Sequence, residues 1–163
     1  MSELDGFLSR YRKNGVMLDT NLLVMYLIGT YNPELVPEFK RTETYTVDDF
    51  EMLQYYVSQF DKLIVTPHVL AETWNFVEKI PKHEFQDFLN KAVPFLEVCD
   101  EEQVDKNDIL LSGSFSFIGV TDMGVIRAAQ SRKCLVITDD LRAYAYFFEN
   151  GVDTININHL RIV

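Results

Sequence analysis

The sequence predicts an α/β fold in which a parallel sheet is covered by helices on both faces. Four short runs consist almost wholly of apolar residues, as expected of strands buried on both faces. These runs alternate with longer stretches in which apolar residues recur at helical spacing, and this alternation is typical of parallel β-α-β units. The strands are predicted at residues 15–18, 63–65, 135–137 and 154–157.

Cap and stop signals place the helices between these strands. Thr46 begins a capping box in which Asp49 stands where Glu or Gln is usual. Thr66 followed by Pro67 marks the start of another helix. Gly29 is predicted to end the first helix. Helices are predicted over residues 22–28, 46 to about 60, 67–80, 82–93, 121 or 122 to 132, and 140–150; segment 30–44 is expected to be irregular, and 98–119 shows no clear pattern.

Length and composition indicate one compact domain. The chain has 163 residues, of which 47% are hydrophobic and 25% charged, so a sizeable core is expected. No repeat or Pro/Gly/Ser-rich linker divides it. We therefore assign residues 1–163 to a single domain, with an N-terminal extension at 1–14 and an inserted loop at 29–46.

Targeting signals are absent from the pattern. No apolar stretch approaches the length of a transmembrane helix, and the start of the chain lacks the apolar region of a signal peptide. Cys99 and Cys134 are too few for a disulfide framework. A cytoplasmic protein without membrane contact is expected.

The charge balance limits the ways in which this chain could hold nucleic acid. The formal net charge is −10, from 25 acidic and 15 basic residues. That balance argues against binding by a broad positive surface. It is compatible with carboxylates that are concentrated to hold a metal ion.

Three carboxylates follow predicted strands directly. Asp19 follows the first strand, and Asp139 and Asp140 follow the strand at 135–137. Ligands of parallel sheets sit beyond the carboxyl ends of the strands, so these side chains are expected at one edge of the sheet. Capping of the next helix is the alternative interpretation for each, because Asp is a favoured N-cap residue.

Two further carboxylates lie on predicted helices. Glu72 lies three residues after Val69 and four before Phe76, and so shares the apolar face of its helix. A charge on that face requires a partner, which could be a cation or a Lys or Arg side chain, unless Glu72 lies at the edge of the apolar stripe. Asp122 begins an Ala-rich helix, where capping is again the alternative.

Carboxylates that converge in a partly buried place repel one another. A hard divalent cation with oxygen ligands, Mg²⁺ or Mn²⁺, would neutralise them. Such a site suits in-line displacement at phosphorus, in which the metal activates a water and stabilises the leaving oxygen.

These residues resemble the PIN domain family. Residues 16–24 form an apolar strand, Asp-Thr-Asn and an apolar helix, which is similar to the opening of a PIN domain. Glu72 matches the acidic residue on the helix after the second strand, and Asp122 the one that opens a small helix. Thr138 and Asp140 match the Thr-x-Asp after the next strand, and we favour Asp140 over Asp139 as the ligand.

The resemblance covers about residues 15–158 and implies a Rossmann-like three-layer α/β/α fold with about five parallel strands. It implies a Mg²⁺- or Mn²⁺-dependent ribonuclease. Many small members are toxins of toxin–antitoxin pairs, which makes an antitoxin or a second copy of the chain possible partners. The implied catalytic and metal-binding residues are Asp19, Glu72, Asp122 and Asp140.

Neighbouring residues are expected to support this site. Asn21, Thr138 and Asp139 are not expected to bind the metal directly; we expect them to orient the residues that do. Arg142 is expected to bind phosphate because it lies two residues after Asp140. The other basic residues near the first half of the chain are expected further away: Arg10, Arg12, Lys13, Lys40 and Arg41.

The sequence therefore predicts an endoribonuclease that cleaves single-stranded RNA by a metal-activated water. The alternative is an inactive PIN-like scaffold that binds a protein partner such as an antitoxin. An aspartate-nucleophile phosphatase fits less well, since Asn21 stands where its pattern has the second Asp. A phosphotransfer receiver also fits less well, since neither its paired acids nor its Lys after a late strand is evident.

Overall fold

A computed structural model describes residues 2–161, and residues 1, 162 and 163 of the predicted domain lie outside this range. Its centre is one sheet of five parallel strands in the order β3-β2-β1-β4-β5. The predicted α/β class and the number of parallel strands are confirmed. The strands are β1 (Val16–Leu18), β2 (Leu63–Val65), β3 (Asp100–Glu101), β4 (Leu135–Thr138) and β5 (Thr154–Asn156).

Helices and one short 3₁₀ turn at Pro33–Leu35 connect and cover the strands. The helices are α1 (Glu3–Tyr11), α2 (Thr20–Tyr31), α3 (Val47–Ser58), α4 (Pro67–Val77), α5 (Lys82–Glu97), α6 (Lys106–Leu110), α7 (Phe115–Ile118), α8 (Val120–Arg132), α9 (Leu141–Glu149) and α10 (Ile157–Leu160).

The strand order creates a switch point between β1 and β4. The chain moves from β1 through β2 to β3 on one side, then crosses to β4 and β5 on the other. Right-handed crossovers therefore place the helices of these two halves on opposite faces of the sheet. In open α/β sheets the crevice at such a switch point, at the carboxyl ends of the strands, is the usual place for a ligand. Asp19 and Asp139 follow these two strands.

Helix α2 lies in the interior and contacts α3, α4 and α5. Most of its residues are buried, which explains its apolar composition on all sides. The predicted end at Gly29 is wrong, because the helix continues to Tyr31. Gly29 serves packing instead, since a side chain there would overlap the ring of Phe50.

Both helix starts predicted from capping signals are confirmed. The Thr46 side chain accepts a hydrogen bond from the Asp49 N–H, and the Asp49 carboxylate accepts one from the Thr46 N–H. Thr66 caps α4, with Pro67 at its first position. These caps fix where the chain leaves β2 and where it leaves the 29–46 segment.

The sequence pattern missed the elements between residues 98 and 119. Strand β3 consists of Asp100 and Glu101, paired in parallel with Ile64 and Val65 of β2. Two acidic residues on an edge strand give no apolar signal. Two short helices also lie in this stretch, α6 at Lys106–Leu110 and α7 at Phe115–Ile118.

None of the helices within residues 2–161 has both the length and the apolar character needed to cross a membrane.

Replacement of Gly29 by Ala should destabilise the protein, because the added methyl group overlaps the Phe50 ring. Such overpacking costs about 1–3 kcal/mol, which exceeds the gain of about 1 kcal/mol in helix propensity. Gly6→Ala in α1 is the matched control, since nothing lies within 4 Å of its added Cβ. Urea unfolding should show a loss for Gly29→Ala and no loss for Gly6→Ala; equal effects would contradict the packing role.

Candidate functional site

Asp19 is a buried junction between β1, α2 and β4. Only 6% of the residue is exposed. One carboxylate oxygen caps α2 by accepting the Leu22 N–H at 2.9 Å. The other accepts the Asp139 N–H at 3.0 Å and the Thr138 hydroxyl. The capping interpretation is therefore correct, but it accounts for only one of the two oxygens.

Burial and the nearby charge of Asp139 raise the pKa of Asp19 to about 8. The three hydrogen bonds it accepts act in the opposite direction, and burial outweighs them. Asp19 therefore keeps a proton near neutral pH unless a positive charge compensates it.

Asp139 lies next to Asp19 and is half-buried. One of its carboxylate oxygens accepts the hydroxyl hydrogen of Tyr45. Its other oxygen, Oδ1, is buried and has no hydrogen-bond partner among residues 2–161. A buried carboxylate oxygen without a partner is costly, so it is a place where a cation would stabilise the site.

Asp122 faces three other carboxylates from the start of α8. It is the third residue of this helix, whose N-cap is Gly119 without a side-chain cap, so helix capping does not explain it. Burial, together with the charges of Asp140, Glu72 and Asp139, raises its pKa to about 7. Asp122 thus links the carboxylates of α4 with those that follow β4.

Glu72 is half-buried on α4, and its carboxylate accepts the Thr121 hydroxyl at 2.8 Å. None of the described Lys or Arg side chains forms an ion pair with Glu72, so the salt-bridge interpretation is wrong for this part of the chain. The buried stripe of α4 consists of Val69, Thr73 and Val77, and half-buried Glu72 lies at its edge. The contact with Thr121 holds α4 against the start of α8, beside Asp122.

Asp140 is exposed and is the N-cap of α9. Its Oδ1 accepts the N–H groups of Arg142 and Ala143 at 2.8 and 3.1 Å. The capping interpretation is therefore correct here too. Asp140 still lies close enough to Asp122 to raise the pKa of that residue, so one carboxylate serves the helix and the site.

We call these five residues, Asp19, Glu72, Asp122, Asp139 and Asp140, the acidic cluster. Within residues 2–161 no three His, Cys, Asp or Glu side chains are arranged as a finished metal site. The cluster nevertheless fits a hard divalent cation by its chemistry. Its donors are carboxylate oxygens, which suit Mg²⁺ or Mn²⁺, and Asp139 Oδ1 has no hydrogen-bond partner among residues 2–161.

The expected supporting residues divide into two groups. Thr138 donates to Asp19 and accepts the Asp140 N–H, so it joins two members of the acidic cluster. Asn21 instead accepts a hydrogen bond from Arg41 at 2.7 Å. Arg142 is exposed, and its side chain makes no hydrogen bond or ion pair within the described chain.

Two residues of the 29–46 segment contact the site, although the sequence analysis did not place them there. Arg41 was expected to lie further away, but it reaches Asn21, two residues after Asp19. Tyr45 is 95% buried and donates to Asp139. An aromatic residue before a capping box gives no sign of such a contact; only the fold of this segment reveals it.

Arg161 packs against the ring of Tyr45. The Arg161 guanidinium lies 5.7 Å from the centre of the Tyr45 ring and forms two hydrogen bonds to Asp49, at 2.8 and 2.9 Å. Burial and the charge of Asp139 raise the pKa of Tyr45, so its hydroxyl stays protonated and remains a donor.

Comparison with protein-family models found no matching family, and comparison with curated proteins found no similar sequence.

The raised pKa values predict how stability varies with pH in the absence of divalent cations. The native protein retains protons on Asp19 and Asp122 between about pH 4 and pH 8, where the unfolded chain has lost them. The free energy of unfolding should therefore fall as the pH rises through this range. Asp122→Asn should raise it at pH 8 by roughly 1–3 kcal/mol and change it little at pH 4.

Denaturant unfolding in the presence of a chelator measures this effect. Asp87→Asn, which removes an exposed carboxylate on α5, is the control and should have little effect at either pH. A loss of stability for Asp122→Asn at pH 8, or the same gain at both pH values, would contradict repulsion within the acidic cluster.

Proposed function

We propose that this protein is a metal-dependent endoribonuclease that hydrolyses single-stranded RNA at the acidic cluster. The observation that carries the proposal is the position of Asp122, which is largely buried and faces the charges of Asp140, Glu72 and Asp139. Structural carboxylates are normally paired with cations or donors. A group of carboxylates that raise one another's pKa is instead typical of a functional site.

The residues suited to hold the cation are Glu72, Asp122, Asp139 and Asp140. When bound, Mg²⁺ or Mn²⁺ supplies charge neutralisation at the phosphate and lowers the pKa of a water. Asp19 has a different part in this proposal, because its oxygens already accept three hydrogen bonds. It holds β1, α2 and the loop after β4 in register, and its negative charge adds to the field at the site.

The resemblance to PIN domains supports the same proposal. The four matched carboxylates have the order and spacing of the family's acidic residues. In the fold, Glu72 and Asp140 lie close enough to Asp122 to raise its pKa. Asp19 joins them through Asp139. RNA is proposed as the substrate, in preference to another phosphodiester, because of this resemblance.

A second candidate function, binding of a protein partner without catalysis, is favoured by an apolar surface beside the acidic cluster. Phe117, Val120 and Leu141 are large, 45–64% exposed, and lie on α7 and at the starts of α8 and α9. Helix α7 contacts both of the other two helices. Exposed apolar patches of this kind mark interaction surfaces, and an antitoxin or a second copy of the chain would suit this one.

Cleavage of a labelled mixed-sequence RNA pool in Mn²⁺ tests the proposal. We expect wild type to cleave, a chelator to stop cleavage, and Asp122→Asn to lower the rate at least about a hundredfold. Because this variant should also be more stable at pH 8, loss of activity cannot be ascribed to unfolding. Asp19→Asn is a poorer choice, since the NH2 group of Asn would face a donor, either the Leu22 N–H or the donors of Asp139 and Thr138.

Asp87→Asn, purified in the same way, is the control and should cleave like wild type. Equal cleavage by Asp122→Asn and wild type would show that the activity arises elsewhere. No cleavage by wild type would count against the nuclease and favour the partner-binding function.

A further inference from the structure

A cavity of about 720 Å³ lies against the 29–46 segment. Its walls come from residues 35–43 of this segment and from the end of α4 and the start of α5. The volume lies within the range of about 300–1,000 Å³ that is usual for ligand sites. Arg41 lines the cavity and also bonds to Asn21, so the cavity opens next to the residues that follow β1.

Arg41 is held in place by uncharged partners. Its Nη2 donates to the Asn21 side-chain oxygen at 2.7 Å, and its guanidinium carbon lies 3.9 Å from the centre of the Phe76 ring. No carboxylate among residues 2–161 lies within ion-pair distance of it. In a chain with 25 acidic and 15 basic residues, an oriented guanidinium without a carboxylate partner is available to an anion.

Two lysines line the same cavity without an ion pair in the described chain. Lys79 places its ammonium 5.9 Å from the Phe76 ring centre, on the ring that also holds Arg41. Lys40 is the neighbour of Arg41. Phe76 therefore supports two cations, and its ring together with the Arg41 plane offers a flat surface of the kind on which bases stack.

Three carboxylates also line the cavity, so its walls are not uniformly positive. They are Glu38, Glu43 and Glu84. Glu84 accepts a hydrogen bond from the Tyr31 hydroxyl at 3.2 Å. The cations of the cavity that are held on an aromatic ring are the two on Phe76, and an anionic chain is expected to bind along that wall.

We infer that this cavity binds the segment of a single-stranded nucleic acid that flanks the phosphodiester at the acidic cluster. Arg41 contacts a backbone phosphate, and a neighbouring base stacks on the Arg41–Phe76 surface. The inference rests on the proposed function, because the acidic cluster defines where the flanking segment begins. It explains how a chain of net charge −10 holds a polyanion: the positive contacts are few and local.

Binding, rather than cleavage, tests this inference. The probe is a fluorescein-labelled single-stranded RNA oligonucleotide, titrated in Mg²⁺ with protein that carries Asp122→Asn to prevent cleavage. In that background Arg41→Ala should weaken binding at least about tenfold and lower the salt slope by about one. The affinity of Arg41→Lys should lie between that of Arg41→Ala and that of the background, because Lys keeps the charge and loses the planar surface.

Arg12→Ala is the matched control. Arg12 is exposed, pairs with Asp61 before β2 and so lies at the opposite edge of the sheet; its loss should leave binding unchanged. Arg41 is exposed as well, and urea unfolding should show that both variants keep the stability of the background. A DNA strand of the same sequence forms a second arm, in which Arg41→Ala should also weaken binding if phosphate and base are the groups recognised.

Equal binding by Arg41→Ala and the background, equal weakening by Arg12→Ala, or no RNA binding by the background would each overturn the inference. The two proposals fail separately. If wild type never cleaves RNA while Arg41→Ala loses binding, the proposed nuclease fails and the cavity remains a binding site for single-stranded nucleic acid. If wild type cleaves RNA while Arg41→Ala binds RNA normally, the binding role of the cavity is rejected and the nuclease proposal is retained.

Discussion

The site of this protein depends on carboxylates that are held close to one another and partly withdrawn from water. Burial, and after it the charges of neighbouring carboxylates, raise the pKa values of Asp19 and Asp122 to about 8 and about 7. The fold accepts this unfavourable arrangement at the switch point of a sheet whose apolar core lies elsewhere. Strain of this kind persists where function requires it and the surrounding structure is stable enough to hold it.

The same carboxylates also build the scaffold that holds them. Asp19 caps α2 and ties the loop after β4 to β1, and Asp140 caps α9. Helix capping and a functional role are thus compatible in one residue, because a carboxylate has two oxygens and several lone pairs. Asp139 is only partly satisfied in this way: one of its oxygens accepts a hydrogen bond from Tyr45, and the other is buried without a partner among residues 2–161.

Sequence patterns predicted the features that depend on local chemistry. Apolar runs predicted four of the strands, and cap residues predicted the helix starts at Thr46 and Thr66. The geometry of parallel strands predicted the edge of the sheet at which Asp19, Asp139 and Asp140 lie. Strand β3 was missed because two acidic residues form it. Arg41 and Tyr45 were missed because their contacts to Asn21 and Asp139 span 20 and 94 residues of sequence, a separation that no local pattern encodes.

Calorimetric titration of the protein with Mn²⁺, repeated in buffers of different ionisation enthalpy, tests most directly whether the acidic cluster exchanges protons for a cation. Carboxylates must lose their protons to bind a metal, so binding should release protons. The raised pKa values of Asp19 and Asp122 predict proton release by wild type at pH 6.5 that declines towards pH 9, and a much weaker affinity for Asp122→Asn. Binding of Mn²⁺ with equal affinity by wild type and Asp122→Asn, without release of protons at pH 6.5, would contradict the cluster as the metal site.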